Sequence, residues 1–132
     1  RNLPPFPVLA ADTTVTLDGN IFGKPTIAEQ AAEMLRQLSG REHQVLSAVA
    51  IAVGEHIEVA LSTSTVRFTT LTEERIRRYL LTNEYTDKAG GYAIQGHAGT
   101  FIEHICGSYS GVMGLPLFET VQLLQKFNYP IP

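Results

Sequence analysis

Apolar positions along this chain recur at two periods, and the switches between them mark its elements. His43 to Val53 is rich in Val, Ala and Ile, and Ile57 to Phe68 sets Val59, Leu61 and Val66 among small polar residues, with Gly54-Glu55 between the two runs. Two long strands joined by a tight turn are predicted, because β-branched residues suit a pleated surface and Gly suits the turn. Near the start, Val8-Leu9-Ala10-Ala11 is a continuous apolar run that predicts a buried strand, and Thr14 to Leu17 resumes with alternation before the Asp18-Gly19 turn signal. Asp12 falls at the break. Elsewhere the period lengthens. Ile27, Ala31, Met34, Leu35 and Leu38 lie at helical spacing; Thr26 with Glu29 makes a capping box before them and Gly40 a stop after them. Thr72-Glu73-Glu74 opens a second helix with Ile76, Tyr79 and Leu80 on one face, Arg75, Arg77 and Arg78 on a solvated one, and Asn83 at its end. Thr100 to Ile105 alternates as a strand, and Gly107 to Gly111 reads as a flexible loop. Leu115-Pro116 starts the last helix, with Phe118, Val121 and Leu124 facing inward, and the tail Tyr129 to Pro132 cannot be helical.

The order strand, helix, two strands, helix, strand, helix predicts an α/β fold, a mixed sheet with flanking helices, in which the hairpin enforces some antiparallel pairing. With 132 residues, 44% of them hydrophobic, residues 1–132 make one domain with one core. The net charge of −3 and the lack of a long Lys/Arg run argue against a stable nucleic-acid complex, which would require clustered cations on the phosphates. Two or three placed cations suffice for a small nucleotide. Cys106 is the single cysteine, so no internal disulfide can form; it reads as a packing residue, and the count fits a reducing compartment. No stretch has the length of a membrane span or the pattern of a secretory signal, which predicts a soluble cytoplasmic protein.

The chemistry concentrates in Asp87-Lys88-Ala89-Gly90-Gly91-Tyr92-Ala93-Ile94-Gln95-Gly96. An acid, a base, paired glycines and a carboxamide within ten residues read as a ligand loop rather than a core element, since Lys88 suits phosphate and Gln95 offers a donor and an acceptor together. Lys24, in the short loop before the first helix, stands beside an N-terminus that attracts anions, although solvation alone would also account for it. An acid at a strand end, as at Asp12, is equally a turn former or a reacting group. His43 reads as structural, and Ser62 to Thr65 as the exposed, hydroxyl-bearing part of a strand. Neither His97 nor His104 has a partner at metal-ligand spacing, so no zinc site is expected.

Taken in order, Ala11-Asp12-Thr13, Gly23-Lys24-Pro25, Leu38-Ser39-Gly40 with His43, Asp87-Lys88-Ala89-Gly90 with Ile94-Gln95-Gly96, and Val112-Met113-Gly114-Leu115-Pro116 resemble the Maf family, also called septum formation inhibitor proteins, which are nucleoside triphosphate pyrophosphatases. The resemblance implies the elongated, two-lobed, ITPase-like α/β fold of that family, with a cleft between the lobes. It also implies that roughly sixty residues, opening with a Ser-x-Ser-Pro-Arg-Arg phosphate loop, precede the first strand, where this chain has only the Pro-rich lead Arg1 to Pro7. Asp12 then takes the catalytic place, activating water, and Asp12 and Asp87 hold a divalent cation, Mg²⁺ or Mn²⁺. Thr13, Lys24, Asp87, Lys88, Gln95 and Gly96 bind substrate, the lysines at the phosphates and Gln95 at the base. Ala-Asp-Thr combined with Ile-Gln-Gly is similar to the branch acting on dTTP and UTP rather than the one acting on 7-methyl-GTP. A homodimer is compatible with this reading. So is a nucleotide-binding regulator of septum formation, which would keep Lys88 and Gln95 without needing Asp12.

Overall fold

The computed structural model describes residues 6–131, so most of the Pro-rich lead, and Pro132, lie outside the described residues. Five strands form one sheet in the order β2-β1-β3-β4-β5, from β1 (Val8–Leu17), β2 (Asn20–Phe22), β3 (Glu42–Val53), β4 (His56–Phe68) and β5 (Ile102–Cys106). Every pairing is antiparallel. The helices are α1 (Ala28–Leu38), α2 (Glu73–Leu80), α3 (Tyr109–Met113) and α4 (Leu117–Lys126). The α/β fold with flanking helices and the β3–β4 hairpin fall where the periodicities place them, but among the described residues the sheet is antiparallel throughout and not mixed, because β1, β2, β3 and β4 follow one another through turns or an antiparallel return and β5 pairs antiparallel with β4. Asp18 and Gly19, at φ 52° and 83°, make the left-handed turn that joins β1 to β2, a short strand the sequence did not announce.

The register sorts the side chains onto two faces. Val15, Val45, Val49, Ile51, Val66 and Phe68 point to one face, where α1 and α2 cover one end and α4 covers the other. On the opposite face Ile57, Val59 and Leu61 of β4 are exposed, opposite Ala52, Ala50 and Ala48 of β3 and Val8, Ala10 and Asp12 of β1. β1 is therefore not the buried strand its apolar run suggested. It is one ten-residue strand, buried only near its end at Val15 and Leu17, and Asp12 lies within it, not at its mouth.

Helix boundaries follow local chemistry with small shifts. Ile27 rather than Thr26 is the residue preceding α1, and Gln30, not Glu29, closes the box: its Oε1 accepts both the Thr26 N–H at 2.8 Å and the Thr26 hydroxyl at 2.9 Å. Leu35 and Leu38 of α1 are fully buried, each contributing about 1.5–3 kcal/mol by leaving water. Thr72 caps α2 by accepting the Arg75 N–H at 3.1 Å. Arg77 and Arg78 lie along exposed Glu74, while Arg75 sits over the Phe101 ring at 4.8 Å. Residues His97–Phe101 form a tight 3₁₀ turn, so β5 starts two residues later than its alternation implied. The stretch Gly107 to Gly111, expected as a loop, turns helical at Tyr109: Ser108 accepts the Gly111 N–H at 2.9 Å and caps α3. In α4 the buried positions are Thr120 and Leu123; Leu124 packs partly against the same cluster, as expected, whereas Phe118 is 67% exposed. Cys106 is exposed rather than packed. No described helix is long and apolar enough to cross a membrane.

Candidate active site

The covered face of the sheet is not apolar throughout. Between the large cluster under α1 and α2 and the small one under α4 runs a row of buried hydroxyls, Ser47 on β3 with Ser62 and Ser64 on β4, the last two expected from sequence to be exposed. Small side chains here let α3 lie directly on the sheet. A Cβ on Gly111 would stand 2.8 Å from Ser62 Oγ, and one on Gly107 2.7 Å from Ser64 Oγ. Ser64 accepts the Ser108 N–H at 2.8 Å, and Ser47 donates to the Gly111 carbonyl. α3 brings Val112 and Met113 to one side of a cleft of about 240 Å³.

The cleft's other side is the Asp87–Gln95 segment. Asp87, Gly90 and Gly91 adopt φ of 65°, 74° and 83°, which folds the segment over Val15 and Ala31; a Cβ on Gly90 would meet Val15 at 3.2 Å. The Gly90 N–H donates to the Gly23 carbonyl at 3.1 Å, joining this segment to the Lys24 loop, and Lys24 Nζ lies 3.6 Å from Asp87. Both charged groups are largely exposed, so their pairing contributes little stability and leaves each available to a ligand.

The segment is not purely a ligand loop. Tyr92, Ala93 and Ile94 are buried, and Tyr92 joins the core against Phe68 at 4.9 Å. Its hydroxyl is 2.6 Å from His43 Nε2. Burial pushes the His43 pKa down to about 4 and the Tyr92 phenol up, so both are neutral near pH 7. His43 is therefore the post that anchors the loop from below, as its structural reading implied. Lys88 and Gln95, on either side of this anchor, remain exposed and line the cleft.

Of the seven residues singled out from sequence, Asp12, Thr13, Lys24, Asp87, Lys88 and Gln95 border the one cleft. Thr13 is half-buried in its floor, where its hydroxyl meets Ser47 Oγ at 3.1 Å. Strand alternation turns the Asp12 side chain to the sheet's other face, beside Ala48, yet its carboxylate accepts the Thr13 N–H at 3.1 Å and stays beside the cleft. Gly96 is not among the lining residues. Its bare Cα accommodates the Glu84 carboxylate, whose oxygens would lie 2.2–2.4 Å from a Cβ there and which accepts the His97 N–H at 2.8 Å. Sequence reading missed Val112 and Met113 as lining residues, at which only the quoted Val112-Met113-Gly114 motif hinted, and Ser47 as the buried support beneath Thr13.

Asp12 and Asp87 supply hard oxygen donors, and no three His, Cys, Asp or Glu side chains cluster among the described residues. That donor set fits a small divalent cation held by one or two carboxylates plus substrate phosphate, and not a cation caged by protein alone.

An open antiparallel sheet with flanking helices, its covered face bordering a polar cleft edged by Lys24, Asp87 and Lys88 with Asp12 beside it, defines the class as an α/β protein. More particularly, residues 2–127 match the family described as Maf-like protein, and the chain belongs to that family. It is 56% identical over 131 residues to the dTTP/UTP pyrophosphatase of Aromatoleum aromaticum, covering 99% of this chain and 64% of that protein. The dTTP/UTP pyrophosphatase of Chromobacterium violaceum is 52% identical over 98% of this chain and 66% of its own length, and a nucleoside triphosphate pyrophosphatase of Haemophilus ducreyi 48% identical over 99% and 66%. The chain thus spans about two thirds of the length of these relatives.

Proposed function

We propose that the whole protein hydrolyses dTTP and UTP between the α and β phosphoryl groups, giving the monophosphate and pyrophosphate. The observation that carries this is the gathering of Thr13, Lys24, Asp87, Lys88 and Gln95 on one cleft in a chain that shares about half its residues with relatives named for that activity.

The residues divide the work by chemistry. Lys24 and Lys88 face the polyphosphate as mobile point charges and offset the charge that builds on the leaving pyrophosphate. Asp12 orients the attacking water and takes its proton as the new P–O bond forms and the anhydride bond breaks. Asp12 and Asp87 would hold Mg²⁺ or Mn²⁺, which when bound supplies further neutralisation of phosphate charge and lowers the pKa of water. Gln95 presents a donor and an acceptor to the base edge, where a mismatch costs roughly 1–3 kcal/mol for each group left unpaired.

The test is kcat/KM of the whole protein across dTTP, UTP, CTP, GTP and 7-methyl-GTP, with and without Gln95→Glu. The expected order is dTTP and UTP first, CTP lower and purines lowest, and the variant should lower the pyrimidine rate and flatten the order. An optimum at 7-methyl-GTP in the unaltered protein overturns the substrate assignment.

A further inference from the structure

The buried hydroxyl of Ser47 is used by no step above, yet it touches the cleft floor. Ser47 Oγ donates to the Gly111 carbonyl, and a carbonyl can only accept. The single Ser47 hydrogen is therefore committed. At 3.1 Å from Thr13 Oγ1, Ser47 can then serve only as acceptor, so the Thr13 hydroxyl must donate downward to it. Thr13 is left showing lone pairs, and no hydrogen, to the cleft. The relay is held rigidly, because Ser47 is fully buried, faces Thr13 directly in the β1–β3 register, and meets a helix, α3, seated close on the serine row.

We infer that Ser47 is a positioning residue for base selection: by fixing Thr13 as an acceptor it makes the cleft favour a ring that offers an N–H over one that offers a lone pair. This rests on the proposed reading of the cleft as a pyrimidine triphosphate site. Uracil and thymine carry N3–H, whereas the N3 of cytosine is an acceptor that would meet another acceptor. Thr13 makes the contact; Ser47 acts only through Thr13.

The experiment measures kcat/KM for UTP and CTP, and the dissociation constants of UMP and CMP, for the whole protein and for Ser47→Ala, Thr13→Val, the double variant and Ser62→Ala. Ser47→Ala frees the Thr13 hydroxyl to rotate and donate, so the UTP-to-CTP ratio should fall roughly tenfold, the effect of one hydrogen bond gained or lost. Thr13→Val should fall as far, and Ser47→Ala should add nothing in its background, since the two residues act as one unit. Ser62→Ala, which removes a neighbouring hydroxyl from beneath Gly111 of α3 but lies outside the relay, should leave the ratio unchanged. A ratio within twofold of the unaltered protein in Ser47→Ala, additive effects of the two substitutions, or an equal fall in Ser62→Ala overturns the inference. If no triphosphate is hydrolysed, the proposed activity falls by itself. The UMP-to-CMP binding ratio then decides the role of Ser47, and absence of any uridine preference overturns it.

Discussion

Asp12 and His43 show how differently two polar residues can serve the same cleft. Asp12 carries the chemistry in the proposed reaction while adding little to the fold, because it lies exposed on β1 and, among the described residues, its carboxylate has only the Thr13 N–H as partner. Asp12→Asn should therefore remove nearly all turnover and leave nucleotide affinity and thermal stability close to those of the unaltered protein. Turnover within a factor of about two, measured as pyrophosphate release, would reduce Asp12 to a strand residue. His43 is the reverse case. Its folded pKa is depressed from 6.5 to about 4 by burial, so between those values the unfolded chain binds a proton that the folded protein does not. Stability rises with pH through that window, is complete above about 6.5, and falls by roughly 3 kcal/mol as pH drops towards 4. Urea unfolding at pH 7 and pH 5 should show this slope, and His43→Leu should flatten it even though the variant is weaker at both pH values.

Among the elements, the segment from Asp87 to Gly96 shows two glycines with unequal claims. At Gly90 the left-handed φ of 74° and the nearby Val15 side chain both oppose a Cβ, and neither can move away cheaply. Gly90→Ala should cost about 1–2 kcal/mol and displace the lysine that precedes it. At Gly96 the obstacle is the flexible Glu84 carboxylate, so the cost of Gly96→Ala comes from its lost bonds to the His97 and Ala98 N–H groups. In a Glu84→Ala background that cost should vanish, whereas the Gly90→Ala cost should persist; chemical denaturation of the three single variants and the two doubles checks both. This segment also marks the limit of what its residues disclose. Asp87, Lys88 and Gln95 stand out by type alone, but the burial of Tyr92 depends on His43, nearly fifty positions away, which no local pattern reveals. α3 was hidden for the same reason: Gly107-Ser108-Tyr109-Ser110-Gly111 has the composition of a loop, and it becomes helical because its glycines let it rest on Ser62 and Ser64. Strong periodicity made β3, β4, α1 and α2 legible. The exposed apolar residues of β1 and β4 misled because hydrophobicity shows that a residue could be buried, not which face of a sheet is covered.

For the molecule as a whole, the row of serines has a consequence for how it comes apart. Among the described residues, one cluster joins fifteen buried side chains under α1 and α2, while the cluster under α4 joins Val49, Ile51 and Leu123. A strip of hydroxyls separates them, and hydroxyls transmit no hydrophobic cohesion from one side to the other. Native-state hydrogen exchange should therefore resolve two protection classes. Amides of α4 should exchange through a partial opening of low free energy, and amides of α1 only when the whole chain unfolds. Equal protection of both helices would show one cooperative unit. If the classes separate, α3, attached to the sheet along that strip, becomes the boundary between a persistent part and a transiently melted one, and the wall it gives the cleft is renewed each time the smaller part refolds.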